Sequence, residues 1–91
     1  MSVFVVIASS NHEAVGEAVV AQYGANHYKF AENAWFVPDG GTTKDVSVKL
    51  GISNGGLKAR GVVLRFDAYS GWAPTDGWAW ISAQGGAISN G

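Results

Sequence analysis

The sequence predicts an α+β domain in which a four-stranded antiparallel sheet carries two helices on one face. Apolar runs with strand periodicity alternate with two stretches of helical periodicity, and a short hairpin joins the second strand to the third. The 13 glycines fall mainly between these elements, where they end helices and form turns. At 91 residues the chain is expected to form a single domain over residues 1–84, with a flexible tail over 85–91.

The first predicted strand and helix come from residues 3–23. Residues 3–8 are a continuous β-branched and aromatic run, which is typical of a strand covered on both faces. Ser10 followed by Glu13 predicts a capping box at the start of a helix. Gly24 then stands at the position where glycine commonly ends a helix.

A hairpin and a second, shorter helix follow. Residues 27–30 and 35–37 alternate on either side of a Glu-Asn turn, which is the pattern of two paired strands. Thr42 or Thr43 can cap the second helix, with Asp45 in its first turn. Gly51 ends it.

The last third of the chain combines a strand with a tryptophan-rich segment. Residues 62–68 alternate and predict the fourth strand. Thr75 or Asp76 is expected to cap a C-terminal helix that runs to about Ala83. Tryptophan is enriched at buried contacts and interfaces, so the aromatic residues of this segment are the interface candidates: Tyr69, Trp72, Trp78 and Trp80.

The predicted order, βαββαβ followed by a helix, is that of the ferredoxin-like fold. Right-handed crossovers place both helices on one face of the sheet and the first and third strands at its centre. Neither face of these central strands is polar. Because the two helices cover only one face, we expect either the C-terminal tryptophan segment or a second subunit to cover the other.

The element order, the hairpin over 28–37 with Trp35 and the ending over 64–80 resemble an uncharacterised bacterial family of small SinR-like proteins. The chain resembles the CRISPR-associated ferredoxin-like nucleases more distantly. Those nucleases carry a metal-binding acidic residue at the end of the first strand. Here residues 7–11 contain neither Asp nor Glu, which argues against metal-dependent cleavage. We therefore expect no catalytic residue, cofactor or metal.

Composition excludes several function classes. The net charge is −1, with no basic run of the kind that binds nucleic acid, and there is no cysteine for a disulfide framework or a thiolate metal site. The apolar N-terminus is far shorter than the ~20 residues that span a bilayer. A cytoplasmic protein without membrane contact is the expectation.

The sequence leaves three possible functions open. The favoured one is a non-enzymatic interaction module that forms a homodimer. Nucleic-acid binding, or a degenerate nuclease, would use Lys58, Arg60 and Arg65 with a stacking aromatic residue. An anion could also bind at the start of the first helix, after Ser9 and Ser10. His12 and His27 lack carboxylates at ligand spacing, so a solvated role is favoured over a catalytic or metal role for both.

Overall fold

The computed structural model describes residues 2–52, 59–66, 68–69, 80–81, 83 and 89–90. Its elements are β1 (Ser2–Ala8), α1 (His12–Tyr23), β2 (Tyr28–Ala31), β3 (Ala34–Asp39), α2 (Thr43–Lys49), β4 (Gly61–Phe66), β5 (Ala68–Tyr69) and β6 (Ser89–Asn90).

One sheet contains four of the strands, in the order β2-β3-β1-β4 with every pair antiparallel. This α+β architecture with two helices is compatible with the predicted ferredoxin-like arrangement. β1 and β3 lie at the centre of the sheet, and β2 and β4 form its edges. The short strands β5 and β6 pair in parallel in a separate sheet, so part of the predicted C-terminal tail has strand structure.

The main core lies between the two helices and one face of the sheet. Strand alternation turns Phe4, Val6 and Ala8 of β1 and Trp35 and Val37 of β3 to this side. There they pack with residues of both helices and with the residue that follows α2: Val15, Val19, Val46 and Leu50. All nine are buried. Burying a side chain of this size contributes ~1.5–3 kcal/mol, so this layer is the main source of stability.

Helix α1 starts differently from the prediction. The capping box of Ser10 and Glu13 is wrong: the N-cap is Asn11, whose φ of 50° is left-handed and whose side chain makes no capping hydrogen bond. The Ser10 hydroxyl instead accepts the N–H of Arg60 at 2.9 Å. The N–H groups of Ser9 and Ser10 both donate to the Arg60 carbonyl. Ser10 is thus used to join the end of β1 to the start of β4.

Helix α2 starts and ends as predicted. Thr42 is the N-cap, and its hydroxyl and the Asp45 carboxylate form a reciprocal capping box. Lys49 is the last residue of the helix. Gly51 follows with a φ of 71°, a backbone conformation that glycine adopts without strain.

The fourth strand is shorter than predicted, ending at Phe66 rather than at Ala68. Of the predicted C-terminal helix, Trp80, Ile81 and Ala83 are described and have helical backbone. Its expected cap at Thr75 or Asp76 lies outside the described residues.

Candidate functional site on the second face of the sheet

The face of the sheet that lies opposite α1 and α2, here called the second face, is apolar on all four strands. The pairing register aligns Val5 of β1 with Phe36 of β3 and with Leu64 of β4. Residues two positions apart on each strand share this face. Its members are Val3, Val5, Ile7, Tyr28, Phe30, Ala34, Phe36, Pro38, Val62, Leu64 and Phe66. The expectation that the central strands are apolar on both sides is therefore confirmed.

An aromatic cluster occupies the middle of the second face, with Phe36 at its centre. The Phe36 ring lies 5.9 Å from that of Tyr28, 5.0 Å from that of Phe30 and 5.6 Å from that of Phe66, measured between centroids. The fifth ring is that of Trp80, 6.2 Å from Phe36. These separations are typical of favourable aromatic pairs. The Trp80 ring thus lies on the second face of its own sheet.

The borders of the second face remain open to solvent. Val62 and Leu64, on the edge strand β4, are 45% and 49% exposed. Phe30, on the opposite edge, is 47% exposed. On the central strand β1, Val3 is fully buried. Ile81, next to Trp80 in sequence, is 2% exposed. Apolar surface is consequently left uncovered along both edges.

Among the four interface candidates, the structure places one side chain. Trp80 joins the aromatic cluster. Trp72 and Trp78 lie outside the described residues. Tyr69 contributes backbone to β5, and its side chain is outside what the structure describes.

The nucleic-acid candidates do not form one patch within the described residues. Lys58 lies outside them. Arg60 and Arg65 are both exposed, but Arg60 precedes the first residue of β4 and Arg65 is next to its last. Positions five residues apart along a strand, such as 60 and 65, are separated by roughly 16 Å. The two arginines therefore sit at opposite ends of one strand.

An open groove of about 680 Å³ lies on the helix side, between the start of α1 and β2. Its ionisable groups are His12, Glu13, Glu17, His27, Lys29 and Glu32. Both histidines thus line one groove together with glutamates of α1 and of the turn after β2. Within the part of the chain that the structure describes, no three of the His, Asp and Glu residues are arranged to hold a metal ion.

A buried carboxylate, which the sequence reasoning missed, ties the two helices to the end of β3. The Asp39 side chain is 4% exposed. Its Oδ2 accepts the Tyr23 hydroxyl at 2.8 Å and the Lys49 ammonium at 2.7 Å, and its Oδ1 accepts the Gly41 N–H at 2.7 Å. The Gly41 bond is a local Asx turn, which an Asp followed by two glycines could have suggested.

These contacts determine the protonation states of Asp39 and Tyr23. Burial alone would raise the pKa of Asp39, but the hydrogen bonds from Lys49, the Gly41 N–H and Tyr23 hold it below its ordinary value. The pKa of the Tyr23 phenol is raised far above its ordinary value, first by burial and then by the hydrogen bond and the negative charge of Asp39. Asp39 is thus ionised and Tyr23 neutral at physiological pH. Within the described residues, no buried side-chain nitrogen or oxygen lacks a hydrogen-bond partner.

The chain has no match among protein-family models, curated proteins or solved structures. In the described residues no helix is long and apolar enough to cross a membrane.

Proposed function

We propose that this chain is a ferredoxin-like interaction module without enzymatic activity, which works as a homodimer whose interface includes the exposed apolar border of the second face of its sheet. The exposure of Phe30, Val62 and Leu64 along the borders of that face is the observation that carries the proposal.

Exposed apolar side chains are unfavourable in water, and this free-energy cost supports the proposal. Burying apolar area contributes ~25 cal/mol per Å², so half-exposed side chains on a face that is already apolar favour association. A second copy is the simplest occupant because a two-fold axis lets each patch cover its own counterpart. The net charge of −1 opposes such an approach only weakly.

The test is sedimentation equilibrium from low micromolar to several hundred micromolar protein. Wild type should shift from monomer to dimer. Leu64→Lys, which places a charge on the second face, should stay monomeric over the same range. Val20→Lys is the matched control, since Val20 is 54% exposed but belongs to α1, on the other side of the sheet.

Two outcomes would contradict the proposal. One is a wild-type protein that remains monomeric throughout. The other is equal dissociation of Val20→Lys and Leu64→Lys, because the effect would then not depend on the second face. A monomer that binds RNA or DNA with salt-dependent affinity, lost in Arg60→Gln and Arg65→Gln, would favour the nucleic-acid alternative instead.

A further inference from the structure

The two edges of the sheet differ in how well they are protected from pairing with another strand. β2 has only four residues, an irregular register between Lys29 and Ala31, and an ion pair of Lys29 with Glu32 at 3.6 Å. Short length, irregularity and charge are devices that prevent edge-to-edge pairing. β2 is therefore a poor template for a further strand.

β4 lacks these devices. It has six residues in uninterrupted register with β1, and Arg65 is its single charged residue. Within the described residues, β1 is its only strand partner, so its outer row of backbone N–H and C=O groups faces no strand. A regular, apolar edge of this length is a template for β-augmentation.

We infer that a second copy of this chain pairs with β4 along this edge, antiparallel and about a two-fold axis at Val63. This inference rests on the proposed homodimer and specifies how it forms. The register places Val62 of each copy opposite Leu64 of the other, so the two exposed large apolar residues of the strand cover each other. Directly opposed side chains lie about 4.5–5.5 Å apart at their Cβ atoms.

Charge and size favour this register over an axis at Leu64 or at Arg65. An axis at Arg65 would place two like charges opposite each other, which is destabilising. An axis at Leu64 would set Arg65 against Val63, a partly buried residue that packs on the core. With the axis at Val63, Arg65 instead faces Gly61, which has no side chain.

Packing within its own chain also requires a glycine at position 61. A Cβ added there would lie 2.5 Å from the Ile7 carbonyl oxygen. The space opposite Arg65 is thus kept open by the contact between β4 and β1. The two second faces then continue across the dimer as one apolar surface of eight strands.

The absence of cysteine allows a direct test by disulfide cross-linking. Val62→Cys and Leu64→Cys chains, made with tags of different mass, are mixed and oxidised. The mixed product should form several-fold faster than either homodimeric product, because only opposed positions approach disulfide geometry. Both sites are about half exposed, so the substitutions should leave the fold intact, which circular dichroism checks.

Phe30→Cys on the other edge is the control, and it should not cross-link above the rate of random collision. Efficient Phe30→Cys cross-linking without a Val62–Leu64 product would show that the faces stack, which overturns the edge pairing but leaves the proposed homodimer standing. Faster cross-linking of Leu64→Cys to itself would overturn the register. A chain that stays monomeric and forms no product would overturn both.

Discussion

Replacing Lys49 by Met tests the role of the buried Asp39 carboxylate. Lys49 donates to Asp39 at 2.7 Å, and while Asp39 is almost fully buried, the Lys49 side chain is 46% exposed. Hydrogen bonds to charged groups contribute about 1.5–3 kcal/mol, but solvent-exposed ion pairs contribute only ~0–1 kcal/mol. Since Tyr23 and the Gly41 N–H still bond the carboxylate, we expect Lys49→Met to lower the free energy of unfolding by about 1–2 kcal/mol at pH 7.

The stability difference between wild type and Lys49→Met should depend on pH through the ionisation of Asp39. The pKa of Asp39 is lowered in the folded protein, so its contribution is fully present above the unfolded-state pKa of an aspartate, ~3.9. It is lost as the pH falls through the lower folded-state pKa. The difference between wild type and Lys49→Met should therefore shrink as the solution is acidified through this window.

Urea denaturation at pH 7 and at successively lower pH measures the difference. Lys44→Met is the matched control, because Lys44 is an exposed lysine of the same helix without a bond to Asp39. Equal unfolding free energies for Lys49→Met and wild type at pH 7 would refute the reasoning. So would a difference that persists unchanged in acid.

Two further substitutions test local structure by the same denaturation assay. Thr42→Ala should cost ~1 kcal/mol because it removes the hydroxyl that caps α2, whereas Thr43→Ala should cost clearly less; equal costs would contradict the cap assignment. Gly61→Ala should cost about 1–3 kcal/mol because its Cβ meets the Ile7 carbonyl at 2.5 Å, and an unchanged midpoint would show that β4 does not approach β1 this closely.

The elements that were predictable from the sequence are those encoded locally. The threonine cap of α2 and Asp45 in its first turn lie three positions apart, and the hairpin turn before Ala34 spans two residues. The alternation of β3 likewise predicts that Trp35 and Phe36 occupy opposite faces. Such features depend on neighbours in the chain, so a single sequence contains the whole signal.

The features that were missed depend on partners brought together by folding. Ser10 bonds to Arg60, 50 residues away, and this contact replaced the predicted cap. Asp39 is bonded by Tyr23 and Lys49, which are 16 and 10 residues distant. The sequence shows only that a carboxylate precedes two glycines. Which donors reach it is decided by the packing of both helices against the sheet.

Amide hydrogen exchange as a function of protein concentration tests the central claim most directly. Those amides of β4 that do not bond to β1 should exchange rapidly in dilute protein and become protected as the dimer forms. The amides of β2, over Tyr28–Ala31, should show no such dependence. Protection that rises in β4 and not in β2 is the predicted result. A dimer that forms while β4 exchange stays constant, or one that protects β2 instead, would contradict the account.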